Sequence, residues 1–356
     1  MPPPRRLHRQ DQPRSPEKNC EFAMPRISAR SLRYRLTAAL AGTLLLAGCG
    51  TSADGSGDAG SGGKDGSGGP DARTSVEVEP LEPARKITDV RGRTVTTGKE
   101  PKRVVCLVGL CDDILHELGM APAATNNTLL SHPDFLGAKK AARIPVIPGG
   151  FVAPEIEAIL SHKPDLVIGL DDTHGKLAPA LKGATTFWAV QPTKWQESVA
   201  YLRDLGALTG RTGKALAAEK RFRTKLAAAE RAKSDKTSLI IFGSDENFGV
   251  AAPGADVAAG LFPRISDYPW KSRGVSGSYS MEEILAREVD VLFVESLSFG
   301  DQKGKLSEKL AENPLWSRIP AVRNGDVHEV DAEVWAKGRG TRSLGIVLDQ
   351  ATAALR

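Results

Sequence analysis

The sequence lacks several features that would each have settled its class at once. No uninterrupted apolar run in the 356 residues reaches the roughly eighteen needed to cross a bilayer, so no transmembrane helix is expected. Aromatic residues make up only 5%. Only Cys106 and Cys111 fall where the chain can fold, too few for a disulfide framework and at a spacing that fits no zinc or CxxC pattern. Cys106 alternates with apolar neighbours as a strand residue, and Cys111 stands where a helix begins, so both are read as packing residues and a bridge is not predicted. Catalytic signatures are also missing. Gly274-Val-Ser276-Gly-Ser breaks the nucleophile-elbow pattern at its last position, and Gly213-Lys214 lacks the upstream glycine and following hydroxyl of a phosphate loop. Gly338-Arg-Gly340 is followed by Ser343 where a dinucleotide motif needs its third glycine. The five histidines beyond the leader (His116, His132, His162, His174 and His328) form no paired ligand motif. Asp112, Asp113, His116 and Glu117 share one short helix, and are read as dipole complements and solvated face. No enzyme and no metal centre is expected.

What is present begins with charge in one place. Residues 1–49 hold nine Lys/Arg against three Asp/Glu, which leaves 50–356 at −1 of the formal +5. The basicity belongs to a leader, so a polyanion-binding role is excluded. Arg26, Arg30, Arg33 and Arg35 precede the twelve-residue apolar stretch Leu36 to Ala47, the layout of a secretory signal. It ends in Leu46-Ala47-Gly48-Cys49, which resembles the lipobox of bacterial lipoproteins and implies lipid on Cys49; an ordinary signal peptide is the alternative. From Met24 the signal would be 25 residues long, the usual range, and from Met1 it would be 48, so Met24 is a candidate start with Met1 as the alternative. Residues 50–70 are nearly all Gly, Ser, Asp, Thr, Ala and Lys, and with 71–85 they read as a flexible tether reaching on the order of 30 Å.

From residue 86 the pattern is that of a mostly parallel α/β fold. Strands are expected at 104–108, 144–147, 166–170 and 185–190, with helices at 112–118, 154–162 and 193–208 between and after them. A long helix over 213–233, with Leu216, Phe222, Leu226 and Ala229 on one face, breaks the rhythm. The alternation then restarts: strands at 238–242, 291–295 and 327–330, and helices at 257–261, 281–286 and from 341 onward. The expected organisation is an N-terminal lobe at 86–212, a connecting helix at 213–233 and a C-terminal lobe at 234–356. A single stiff connector predicts little lobe motion.

Ile87-Thr-Asp, Pro101-Lys-Arg-Val-Val, Lys163-Pro-Asp-Leu-Val-Ile, Asn313-Pro-Leu-Trp and Ala321-Val-Arg-Asn-Gly stand in that order along the chain. Together they resemble the substrate-binding lipoproteins of ABC importers for ferric siderophores, cobalamin and haem. The resemblance implies two Rossmann-like α/β lobes joined by one long rigid helix, a ligand cleft between them, and a membrane permease with a cytoplasmic ATPase as partner. It also implies a lipid-anchored monomer facing outside the cytoplasm. The expected cargo is a ferric siderophore of hydroxamate or carboxylate type, with cobalamin or haem as the alternative; a lipid-anchored metal-binding protein or enzyme is the reading from another class. Candidate ligand contacts follow the strands: Asp171 and His174 in the first lobe, Asn247, Phe248 and Trp270 in the second. Trp335, Arg339 and Arg342 lead into the last helix, whose exposed N–H groups would suit an anion. Core packing is the competing role for each of these. The resemblance further implies a docking glutamate on each lobe, placed at Glu157 and Glu282, with Glu155 and Glu283 as neighbouring alternatives. Mass spectrometry of membrane-extracted protein is expected to find acylated Cys49 at the mature N-terminus and no peptide from residues 2–23.

Overall fold

The computed structural model describes residues 76–244, 248–271, 279–297 and 304–356; the leader, the lipobox and most of the tether lie outside the described residues. The first elements form a small hairpin, β1 (Lys86–Thr88) against β2 (Thr94–Thr96). Its turn is closed by Asp89, whose carboxylate accepts from the N–H groups of Arg91 and Arg93 and from the Trp188 indole at 3.0 Å.

Two four-stranded sheets follow. The first has the order β4-β3-β5-β6, all parallel, from β3 (Val104–Cys106), β4 (Ala124–Thr125), β5 (Leu166–Leu170) and β6 (Thr186–Val190). Helices α1 (Gly109–Glu117), α2 (Ile156–Ser161) and α3 (Trp195–Leu208) belong to this lobe. The second sheet has the order β10-β9-β7-β8, from β7 (Ser238–Gly243), β8 (Gly249–Val250), β9 (Val291–Ser296) and β10 (Val327–Val330). Only β8 runs antiparallel in it. Central strands buried along their length, such as Leu166–Leu170, carry continuous apolar runs because both faces are covered.

Between the sheets in sequence runs α4 (Thr212–Arg231), about 30 Å of helix. Its buried stripe is Ala215, Ala218, Phe222, Leu226 and Ala229, so small Ala215 takes the inner position and Leu216 is only half-buried. Glu219 on the same helix is 2% exposed and is held by Arg203 at 2.6 Å and Arg223 at 2.7 Å. The last helix, α6 (Thr341–Ala354), packs along α4, and α5 (Met281–Leu285) precedes β9.

The two lobes share a corner. In the first, α2 ends at Lys163, a left-handed residue (φ 48°), and Asp165 then accepts from the Lys102 and Arg103 N–H groups at 3.0 Å each. In the second, α5 ends at left-handed Glu288 (φ 50°), and Asp290 accepts from the Thr237 N–H at 2.9 Å. In both, the N–H groups of the aspartate and of the next residue meet one carbonyl just before the neighbouring strand, Arg103 or Thr237. Arg103 also donates to the His162 carbonyl at the end of α2. These contacts give the Pro101-Lys-Arg and Lys163-Pro-Asp motifs a physical purpose: they fasten a helix end to a strand start.

Three expectations need correction. Residues 144–147 form no strand; only a single bridge joins Val146 to Thr125, because the short edge strand is 124–125. The segment at 257–261 is one 3-10 turn (Ala259–Leu261) running into a four-residue helix with Pro263 near its start. Cys106 and Cys111 are joined as a disulfide, their Cα atoms 5.4 Å apart, where a pair of packing thiols was expected. The extended residues after β3 and the tight first turn of α1 bring them face to face, a closeness that spacing alone did not reveal.

The Asp165 corner has a pH signature. Burial pushes its pKa up, but the Lys102 and Arg103 N–H groups and the Lys99 ammonium outweigh that and hold it below the ordinary value. Its stabilisation is therefore present above the unfolded pKa and lost as pH falls through the folded one. Asp165→Ala is expected to cost about 1–2 kcal/mol at neutral pH in denaturant melts, with the gap to the parent closing on acidification below roughly pH 4.

Candidate ligand site

In a parallel α/β sheet the strand carboxyl ends are where ligands bind, because loops and helix starts converge there. At the end of β5 stands Asp171, half-buried, with its Oδ1 2.9 Å from the Arg93 guanidinium of the hairpin. His174, one turn later, is fully buried. Its Nδ1 accepts from the Leu170 N–H at 2.9 Å, so Nε2 carries the proton and donates to the Phe151 carbonyl at 2.7 Å. Burial holds its pKa down, which keeps the ring neutral. This is a correction: both ring nitrogens are used inside the protein, and His174 serves to hang a loop over the end of the sheet. That loop exposes Phe151 (42%) and Val152 (62%), large apolar side chains on an open surface, which the sequence reading missed.

In the second lobe the aromatic candidates pack inward. Phe248 and Trp270 are 3% and 4% exposed, and Trp270 meets Tyr279 edge-on with the Arg287 guanidinium over its ring. Trp335 is 1% exposed, stacks on Phe293 and donates from its indole to Gln350 at 2.6 Å. The structure thus takes the competing role for all three: they fill core. Asn247 lies outside the described residues.

The arginines behave differently. Arg339 ends a π-helical turn, Glu333–Gly338, in the left-handed region (φ 59°), a conformation that costs a non-glycine residue of order 1 kcal/mol or more. Two acids lie within its field, Glu295 buried and Asp256 half-buried. Burial raises the pKa of Glu295, at the end of β9, well above the ordinary value, Asp256 raises it further, and Arg339 opposes both; burial likewise raises Asp256. One oxygen of Glu295 is buried without a partner. Nothing in the sequence pointed to Glu295 or Asp256, which are far apart in the chain.

Arg342 enters α6, but the anion at that helix start is the protein's own. Asp113, from α1 of the other lobe and fully buried, accepts from the Arg342 N–H at 3.2 Å and from the Ser343 N–H and hydroxyl at 2.8 and 2.6 Å. The Arg342 guanidinium pairs with Glu117 at 3.2 Å, donates to the Asp134 carbonyl and lies over Phe135. The expected anion site there is therefore filled. The acidic cluster of α1 is corrected with it: Asp112, Asp113 and Glu117 are buried, not a solvated face. Asp112 accepts from Thr125 at 2.9 Å and from Asn127 at 2.5 Å. A groove of about 390 Å³ flanks this joint, yet its three cations are already paired, Arg221 and Arg342 with Glu117 and Lys225 with Asp349.

The carboxyl end of β10 also reaches the first lobe, where Asp331 lies 3.8 Å from the His132 ring. Glu157 and Glu282 are both exposed in the first turns of α2 and α5. Glu283 closes a capping box with Ser280, which ties it to its own helix. Among the described residues no helix is long and apolar enough to cross a membrane, and no cluster of metal-ligating side chains occurs.

The comparisons agree with this architecture. The chain belongs to the periplasmic binding protein family, whose model matches residues 104–334, through most of both lobes. A relative in Bacillus subtilis, the Fe(3+)-citrate-binding protein YfmC, is 26% identical over 275 residues, covering 73% of this chain and 82% of that one. Among solved structures, the petrobactin-binding protein YclQ of Bacillus subtilis superposes with a TM-score of 0.65 at 17% identity, covering 76% of this chain and 98% of that one. SirA of Staphylococcus aureus, solved with staphyloferrin B, gives 0.59 at 19% identity, with the same 76% and 98% coverage.

Asp112 and Asp113 supply a test of the buried joint. Burial is the main reason both are pushed up to about 7. An unfolded aspartate titrates near 4, so between there and 7 the folded chain binds more protons and stability falls as pH rises through that window. Melting temperature is expected to decline from about pH 4 to pH 7, and Asp112→Asn is expected to flatten that decline.

Proposed function

We propose that this protein captures a ferric siderophore outside the cytoplasm and delivers it to an ABC permease, held to the membrane by lipid on Cys49. The observation that carries this reading is the family match running through both lobes, with a relative named for Fe(3+)-citrate and a fold shared with a petrobactin-binding protein and with a protein solved with staphyloferrin B. A ferric siderophore brings its own iron ligands, so the protein has to supply shape, apolar contact and positive charge instead of a metal cage. Phe151 and Val152 would supply apolar contact from the first lobe, and Arg339 the positive charge from the second. Arg339 suits the task because its half-buried side chain is steadied within its own turn, Nε donating to the Ala336 carbonyl at 2.9 Å, on a strained left-handed backbone (φ 59°). Asp171, with one oxygen engaged by Arg93, is a candidate for a hydroxyl or amide of the ligand. The cargo chemistry that fits is carboxylate or hydroxamate oxygen around Fe(III), presented to a guanidinium.

The shared corner supports the docking pair. Glu157 and Glu282 each stand eight residues ahead of the corner aspartate, Asp165 or Asp290, so they occupy equivalent places on the two lobes. Two equivalent carboxylates suit a partner built of two similar halves, and exposed ion pairs of about 0–1 kcal/mol each would orient the complex more than hold it.

Tryptophan fluorescence titrated with ferric citrate, a ferric trihydroxamate, cobalamin, haem and zinc tests the cargo. Submicromolar response to a ferric complex is expected; response to cobalamin or haem alone moves the cargo, and zinc alone removes the siderophore reading. In the same system, Glu157→Lys with Glu282→Lys should abolish uptake and leave ligand affinity unchanged.

A further inference from the structure

The Gly338-Arg339-Gly340 turn belongs to the second lobe, but the first lobe grips it on both sides. Before Arg339, the first residue of α1 comes so close that a Cβ on Gly109 would stand 2.6 Å from the Lys337 carbonyl oxygen. After Arg339, a Cβ on Gly340 would land on the Asp113 carboxyl group. Asp113 then ties down the first turn of α6 through the N–H groups of Arg342 and Ser343 and the Ser343 hydroxyl. Both contacts come from one helix, four residues apart, and the left-handed residue lies between the places they touch. A carboxylate at a helix N-terminus is a strong fastening, because it meets free N–H groups and the positive end of the helix dipole together. Here the cap is supplied from a different lobe, more than two hundred residues away in the chain.

We propose that Asp113 is a positioning residue for ligand binding: by capping α6 across the lobe junction it fixes the backbone on one side of Arg339 and so sets where that guanidinium points. This rests on the reading that Arg339 touches the ligand. It follows that the two halves of the site are not independent. A ligand held by the first lobe and by Arg339 is held by groups whose relative placement is set by α1. Asp113 needs no contact with the ligand to affect its affinity.

The test uses the mature chain and three probes, ferric citrate, a ferric trihydroxamate and a ferric tris-catecholate, with the tightest binder carried forward. Dissociation constants are measured for the parent, Arg339→Ala, Asp113→Asn, Ser343→Ala and the double variant Asp113→Asn with Arg339→Ala. Asp113→Asn is expected to weaken binding roughly tenfold or more, and the double variant to bind no more weakly than Arg339→Ala alone. Ser343→Ala removes one donor while leaving the carboxylate and its two N–H partners, and should show a smaller loss in the same direction. Losses that multiply in the double variant would mean that Asp113 acts only on general stability, and would overturn the proposal. Parental affinity in both Asp113→Asn and Ser343→Ala would do the same while sparing the ligand reading. If Arg339→Ala binds like the parent, or none of the probes binds, the ligand reading fails and takes this inference with it.

Discussion

One carboxylate holds the two halves of this molecule in register. Asp113 leaves α1, crosses the lobe junction and closes the start of α6, where water would otherwise have to satisfy the helix N–H groups. Around it the polar groups of the junction pair off: Glu117 takes both Arg221 and Arg342, and Asp112 takes Thr125 and Asn127. Burying so many charges is costly unless each finds a partner; Glu117 meets that condition with two arginines, whereas Asp112, with one oxygen unpartnered, and Asp113 show the cost in pKa values raised to about 7. The connecting helix α4 lies along this arrangement and adds an apolar stripe to it. A single covalent link between lobes would leave their angle to the solvent; the α1–α6 joint makes the angle a property of the packed protein.

Much of the architecture was legible in the sequence for simple reasons. Continuous apolar runs such as Leu166 to Leu170 could only be buried strands, and the restart of the alternation after Lys233 could only mean a second sheet. The connecting helix was readable from length and composition, although its inner face was misjudged by one residue, since Ala215 fits where Leu216 would crowd α3. The short edge strand at 124–125 carried too little pattern to be seen, and the apolar residues at 144–147 suggested a strand that the loop does not form.

The site was harder to read, and the reason is specific. Trp335, Phe248 and Trp270 are large residues near strand ends, and a sequence cannot say whether such a residue faces a cleft or a core; all three face the core. His174 was located correctly beside its strand and misjudged in purpose, because its two partners, the Leu170 N–H and the Phe151 carbonyl, are backbone groups that leave no trace in side-chain chemistry. Asp113 was read as solvated face, and Glu295 and Asp256 were missed, all as a matter of distance, their significance depending on contacts from remote parts of the chain. Arg339 was singled out from its place ahead of the last helix, and Gly340 beside it proves to be where the first lobe presses in.

The loop hung from His174 has a consequence for how such a protein could change over generations. Its attachment depends on one imidazole, on backbone atoms and on the Phe151 ring, which meets that imidazole edge-on at 5.1 Å, while Val152 projects outward. Replacing Val152 would leave the sheet, the imidazole and the loop path as they are. The tip of this loop can therefore drift at little folding cost, on an unchanged frame. Arg339 has no such freedom, wedged as it is between two close contacts. The geometry divides the molecule into a part that can explore and a part that must stay.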